Sequence, residues 1–157
     1  MKKQLTILTL LITFALFANG QSIIYSDSLI IIKSIDQAFK TFESGDFKEF
    51  KKISTTEICC MICEGTLDSQ LGPYIVKQDK FFNKYLDSIK NFESWKRAKK
   101  SKELILVQEN KSRSDISAFF TTWKKNEFAE GHEGAQLGIY FKKINGEFKF
   151  AGIETIP

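Results

Sequence analysis

Asn145-Gly146 stands between two runs of alternating apolar and polar residues, and no other feature narrows the fold of this chain so far. A two-residue type I′ turn needs positive φ at both central positions, which Asn and Gly tolerate best. The stretch 135–156 is therefore predicted to be a hairpin. Its register sets Ile144 opposite Glu147, Phe141 opposite Phe150 and Ile139 opposite Gly152. Leu137, Ile139, Phe141, Phe148, Phe150 and Ile156 then share an apolar face, while Tyr140, Lys142, Glu147 and Lys149 share the other. A sheet with one apolar face has to be covered by other elements.

The covering elements are legible upstream. Ile31, Ile32, Ile35, Ala38, Phe39 and Phe42 recur at helical spacing, and Ser26, Asp27 or Ser28 can cap that helix, which is predicted to run to about Glu43. Its polar face carries Lys33, Asp36, Gln37 and Lys40. Gly45 suits the left-handed position that ends a helix, and Asp46 suits the N-cap of a short second one through Phe47 and Phe50. Glu57 to Cys63 reads as a strand, followed by a loop around Gly65 and a Gly72-Pro73 turn. Helical period returns from Gln78 to about Lys100 through Phe82, Leu86, Ile89 and Phe92. Glu103–Glu109 and Asp115–Lys124 are predicted strands, joined by a polar turn through 110–114. The fold class is α+β, a strongly curved antiparallel sheet of four to five strands wrapped around two or three helices of the N-terminal half. Fifteen Phe against two Pro fit a large aromatic core rather than a loop-rich, disulfide-stapled scaffold.

Residues 1–20 read as a signal peptide. Lys2 and Lys3 form a basic start, Leu5 to Phe17 an apolar run, and Ala18-Asn19-Gly20 a small-residue cleavage site before Gln21. The run is shorter than the roughly 20 apolar residues that span a bilayer, and no Cys stands at the cleavage site, so no stable membrane anchor is expected after cleavage. The protein is expected to be exported, to the periplasm or beyond the cell. Residues 21–157 then form one domain. Without Lys2 and Lys3 the formal charge falls from +4 to +2, too little to argue for nucleic acid as a partner.

The order helix, short helix, strand, helix and four antiparallel strands resembles the NTF2-like superfamily, including its SnoaL-like and ketosteroid isomerase-like members. The phrases Phe42-Glu43-Ser44-Gly45-Asp46-Phe47 and Tyr140 to Ile153 carry the resemblance, which covers nearly all of residues 21–157. It implies a cone in which a bent sheet wraps helices around an apolar cavity, used in some members for catalysis and in others for binding or dimer formation. Catalytic members often place a His, Asp or Tyr in that cavity. The lone histidine here, His132, falls in a Gly-flanked loop.

Two functions from different classes follow. The first is an exported, non-catalytic module that binds a small apolar molecule in its cone, with Trp123, Phe119 and Phe82 as candidate lining residues, or that forms a homodimer through its sheet. The second is a cavity enzyme of the isomerase, dehydratase or hydrolase kind. Asp115, Tyr85 and Asp36 are its candidate acid/base groups, since an ionisable group in an apolar pocket has its pKa shifted toward a working value. No cofactor is expected. Cys59, Cys60 and Cys63 are read as buried packing thiols, with one disulfide plus an unpaired third cysteine, or redox or metal work, as the alternatives. On a strand, Cys59 and Cys63 would share a face and Cys60 would oppose them. A zinc site would need about four convergent ligands, and the sequence offers no second CxxC pair. The basic run Lys96, Arg97, Lys99, Lys100 and Lys102 is read as a solvated helix end. Glu127, Glu130, His132 and Glu133 are read as a polar hairpin loop rather than a metal site.

Overall fold

The computed structural model describes residues 25–63, 74–109 and 114–157. The predicted signal segment, the loop with Gly65 and Gly72-Pro73, and residues 110–113 of the predicted turn lie outside the described residues.

Helix α1 (Tyr25–Ser44) starts just before the proposed caps and buries Ile31, Ile35, Ala38 and Phe42, one residue per turn, while Asp36, Gln37 and Lys40 stay exposed. Gly45, at φ +64°, ends it, its N–H donating to the Thr41 carbonyl at 3.1 Å. Asp46 then caps α2 (Phe47–Ile53), its Oδ1 accepting from the N–H groups of Lys48 at 2.8 Å and Glu49 at 3.1 Å. The helix hands over directly to β1 (Ser54–Cys60), where the Ser54 hydroxyl donates to the Phe50 carbonyl at 2.6 Å. This strand lies three residues earlier than the predicted Glu57–Cys63. It stops at Cys60 because the chain turns at Met61 and Ile62 and Cys60 is disulfide-bonded to Cys63. The disulfide alternative therefore holds. Cys63 is not on the strand, and Cys59 remains a buried thiol.

After β2 (Ile75–Lys77) come α3 (Gln78–Lys80), a π-helical turn (Phe81–Tyr85) and α4 (Leu86–Asn91). Phe92 is extended (φ −62°, ψ 138°), and α5 (Glu93–Lys100) starts beyond it, so the single helix predicted to Lys100 is broken. A straight helix of that length would be about 35 Å long. The break instead lets α5 pack against the sheet and bury Trp95, which stacks on Phe42 at 4.8 Å and 15°. Strands β3 (Leu104–Gln108), β4 (Ile116–Trp123), β5 (Ala135–Ile144) and β6 (Glu147–Ile156) complete the chain close to the predicted bounds. Asn145 and Gly146 have φ of 52° and 84°, the two positive values the I′ turn requires.

The sheet has six strands in the order β2-β1-β6-β5-β4-β3, one more than expected, because the three-residue β2 pairs with β1. It is antiparallel except where β1 runs parallel to β6. The hairpin register holds at Ile144↔Glu147 and Phe141↔Phe150, then shifts by one. Ala151 is an extra residue, so Tyr140 faces Gly152 and Ile139 faces Ile153, not Gly152. A bulge at this point bends the strand, and it allows Phe150 and Ile153, three residues apart, both to point inward. Ile156 in turn moves to the opposite face, paired with Gln136.

Helices and sheet meet over an aromatic core. Phe42, Phe50, Phe81 and Phe150 form a closed cluster with centroid separations from 5.0 to 6.1 Å, and Trp95 extends it to Phe39. Edge-to-face and offset contacts of this kind add about 0.5–1.5 kcal/mol each beyond burial. Side chains of the described residues therefore fill the space between the helices and the covered face of the sheet.

Candidate functional site

The outer face of the sheet is the side away from this core. Strand alternation and the pairing register define it: Val107, Ser117, Tyr140, Gly152, Cys59 and Ile75 fall opposite one another in turn across all six strands. The next row holds Ile105, Phe119, Gly138 and Glu154. Ile105 is 52% exposed and Val107 39% exposed, although both sit in the middle of a strand. An edge strand that is apolar on both faces, with Leu104 and Leu106 packed on the core and Ile105 and Val107 outside, carries more apolar surface than its own fold uses.

Two glycines flatten this face. A Cβ on Gly152 would lie 2.4 Å from the Cys59 carbonyl oxygen and 2.9 Å from the Tyr140 ring, and one on Gly138 would lie 2.9 Å from the Phe119 ring. Both aromatic rings therefore lie down on bare backbone. The Tyr140 hydroxyl is hydrogen-bonded to the Glu154 carboxylate. Burial, then that bond and the carboxylate charge, push the phenol well above its ordinary range, so it stays protonated and serves as a donor. Beside it the fully buried Ser117 hydroxyl donates to Glu109 Oε1 at 3.0 Å. The polar groups of the face are thus paired within an apolar setting. At the β1 end the same face opens into a groove of about 560 Å³, where β1 parts from β6: five steps of β1, Ser54 to Cys59, run against two of β6, Phe150 to Gly152.

The residues named from sequence are scattered. Phe119 is on the outer face against Gly138. Trp123 ends β4 under the Arg97 guanidinium at 4.9 Å, and Phe82 packs between Phe47 and Phe50 at 4.8 and 5.4 Å. Of the three, Trp123 lines a groove together with Gly134 and Ile156. Asp36 is exposed on α1. Asp115 holds the hairpin, its Oδ2 accepting from the Lys143 N–H at 2.7 Å. Tyr85 is in the core beneath the Lys84 ammonium. The three candidates thus stand on α1, just before β4 and in the π-helical turn.

The charged clusters are likewise used locally. Arg97 is bound to Glu93 and Glu127, and Lys99 to Glu43. The Lys124 N–H and then Arg97 hold the Glu127 carboxyl below its ordinary range, while Glu133 pairs with Lys125 and His132 Nδ1 accepts from the Gly134 N–H at 3.0 Å. Among the described residues no group of three or more His, Cys, Asp or Glu is placed to hold a metal ion. No helix among them is long and apolar enough to cross a membrane.

The outer-face site itself was missed from sequence at Tyr140, Glu154, Ile105 and Val107. The signal was Leu104-Ile105-Leu106-Val107, four consecutive apolar residues on a strand whose other face already fills the core.

Helices laid on one face of a curved, unclosed sheet form an α+β architecture, in the order that the sequence implies. A designed NTF2-like protein is similar to this chain at 15% identity and a TM-score of 0.43, over 80% of this chain and 96% of that one. No family model matches the sequence, and no curated protein matches it.

Proposed function

We propose that the protein is an exported, non-catalytic NTF2-like module that self-associates through the outer face of its sheet. The observation that carries this reading is the exposed pair Ile105 and Val107 continuing into Phe119 and Tyr140, a ridge of apolar side chains with its polar groups already paired. Such a surface is stable against a second apolar face and costly against water. The exposure of Asp36 and the use of Asp115 to hold the hairpin support a binding role over a cavity enzyme, and the filled aromatic core favours the sheet over the cone as the binding element. Export is supported by the basic, apolar and small-residue order of residues 1–20, and the Cys60–Cys63 disulfide is compatible with an oxidising compartment.

Sedimentation equilibrium of the exported protein tests the assembly. A dimer is expected for the natural chain and a monomer for Ile105→Lys, because burying an unpaired ammonium at the interface opposes association. A natural chain that stays monomeric at every concentration, or an Ile105→Lys variant that dimerises as well, would overturn the reading. Intact mass of the same sample is expected to place the N-terminus at Gln21 or within a residue or two, and a retained Met1 would refute export by cleavage.

A further inference from the structure

We infer that two copies of this chain join edge to edge along β3, the two strands pairing antiparallel about a two-fold axis at Ile105 so that their sheets become continuous. This rests on the self-association proposed above and specifies where it is made, along the β3 rim of the outer face.

The two edges of the sheet differ. At one, β2 has three residues, follows Tyr74 at φ +65°, ends on Lys77 and passes at once into α3. Shortness and a terminal lysine are devices that keep an edge strand from pairing with another chain. At the other edge, β3 has neither. It pairs with β4 at every residue from Leu104 to Gln108 without a shift, carries no charged residue and no Pro, and among the described residues has no strand on its far side. Its outward backbone groups follow from its bonded ones. The Glu109 N–H donates to the Asp115 carbonyl at 2.7 Å and the Thr121 N–H donates to the Glu103 carbonyl at 3.3 Å, so the odd-numbered residues turn their backbone groups to β4. Leu104, Leu106 and Gln108 therefore turn theirs to the free edge.

A second β3 fits those groups. Antiparallel pairing sets outward-facing residues opposite one another, and the axes that keep most of the strand paired lie at Leu106 and at Ile105. An axis at Leu106 opposes Glu103 to Glu109 of the second copy, like charges directly across from each other. An axis at Ile105 opposes Leu104 to Leu106, Glu103 to Val107, Lys102 to Gln108 and Ile105 to itself, with no like charges opposed. That register is self-complementary, as a two-fold contact must be. Leu104 and Leu106 exchange backbone hydrogen bonds across the seam, and the Ile105 pair falls at a non-hydrogen-bonded position, where side chains approach most closely. Each Ile105, 52% exposed in a single chain, then covers the other on the outer side.

Sedimentation equilibrium and residue-resolved amide hydrogen exchange test this geometry. Ile105→Lys and Ile105→Glu are each expected to be monomeric, because each sets like charges across the axis, and an equimolar mixture of the two is expected to associate at least about tenfold more tightly than either alone. Near-UV circular dichroism establishes that both variants are folded. In the natural chain, which needs no substitution, the Leu104 and Leu106 amides are expected to exchange at least about tenfold more slowly well above the association midpoint than well below it. A mixture that stays monomeric, or edge amides that exchange as fast in the associated chain as in the separate one, overturns the edge contact and leaves self-association standing. Slow exchange at every concentration, the mark of another segment of the same chain on this edge, overturns it as well. A natural chain that is monomeric throughout overturns self-association itself, and the edge contact with it.

Discussion

On the covered side of the sheet Phe141 and Phe150 face each other across the hairpin with 0% and 1% exposure, whereas on the outer side the neighbouring cross-strand pair is Tyr140 over Gly152, a ring against bare backbone. The same two strands thus stabilise one surface by filling volume and shape the other by leaving volume out. The two surfaces should then fail in opposite ways. The covered face loses stability when atoms are removed, because a cavity remains. The outer face loses it when atoms are added, because the paired strands have no room to give.

The largest effect expected from this contrast is at Phe141. Phe141→Ala should cost about 3–5 kcal/mol in a denaturant melt, while Lys142→Ala, one residue on and facing outward, should change stability by less than about 0.5 kcal/mol. A larger loss at Lys142 would mean that the faces are assigned the wrong way round. Next is the outer face itself. Gly152→Ala should cost about 1–3 kcal/mol, because its Cβ meets the fixed Cys59 carbonyl at 2.4 Å. Gly138→Ala should cost less, since the atoms its Cβ meets belong to the Phe119 and Glu154 side chains, which can move. Equal costs, by thermal or chemical unfolding, would show that the rings are as immobile as the backbone.

The smallest effect is at the rim between helices and solvent. Glu43 accepts from Trp95 Nε1 at 3.1 Å and pairs with Lys99 at 2.8 Å, and those bonds, with Lys99 first, hold its carboxyl below the ordinary 4.5. A lowered carboxyl stabilises the fold fully above its unfolded value and loses that contribution as pH falls through the folded one. The stability difference between the natural chain and Glu43→Gln should therefore narrow from about pH 7 to about pH 3, as followed by urea melts. A constant difference would assign the effect of Glu43 to packing alone.

Local chemistry was readable in advance and non-local geometry was not. Asn145-Gly146, Gly45 and Asp46 each meet a backbone demand that few other residues satisfy, and each stands where the sequence put it. The bulge at Ala151 has no such marker: alanine fits a strand as well as a bulge, and the shift shows only in the pairing of Ile139 with Ile153. Phe92 continues a helical apolar period, so its extended backbone follows from where α5 must pack rather than from its own identity. Three residues, Ile75 to Lys77, are too few to announce a strand. For the site, alternation separated Phe141 from Tyr140 correctly, yet nothing in one strand told that Ile105, Phe119 and Tyr140 would become neighbours. That takes the order of strands in the sheet.

That order has a consequence for how the molecule assembles itself. The strand latest in the chain, β6, lies in the interior of the sheet between β1 and β5, and the bond from Thr55 Oγ1 to the Phe150 carbonyl joins positions 95 residues apart. Closing a loop of that length costs about 4 kcal/mol in chain entropy, whereas the hairpin turn that brings β6 onto β5 spans two residues. The hairpin can form early and by itself, but β1 and β2 have no seat until it has done so. A chain cut short before Glu147 would hold β1 with β2 and β3 with β4 and β5 as two separate half-sheets. Each would bare an apolar face and an unpaired edge to its neighbours in solution, which makes precipitation the expected fate of such a fragment.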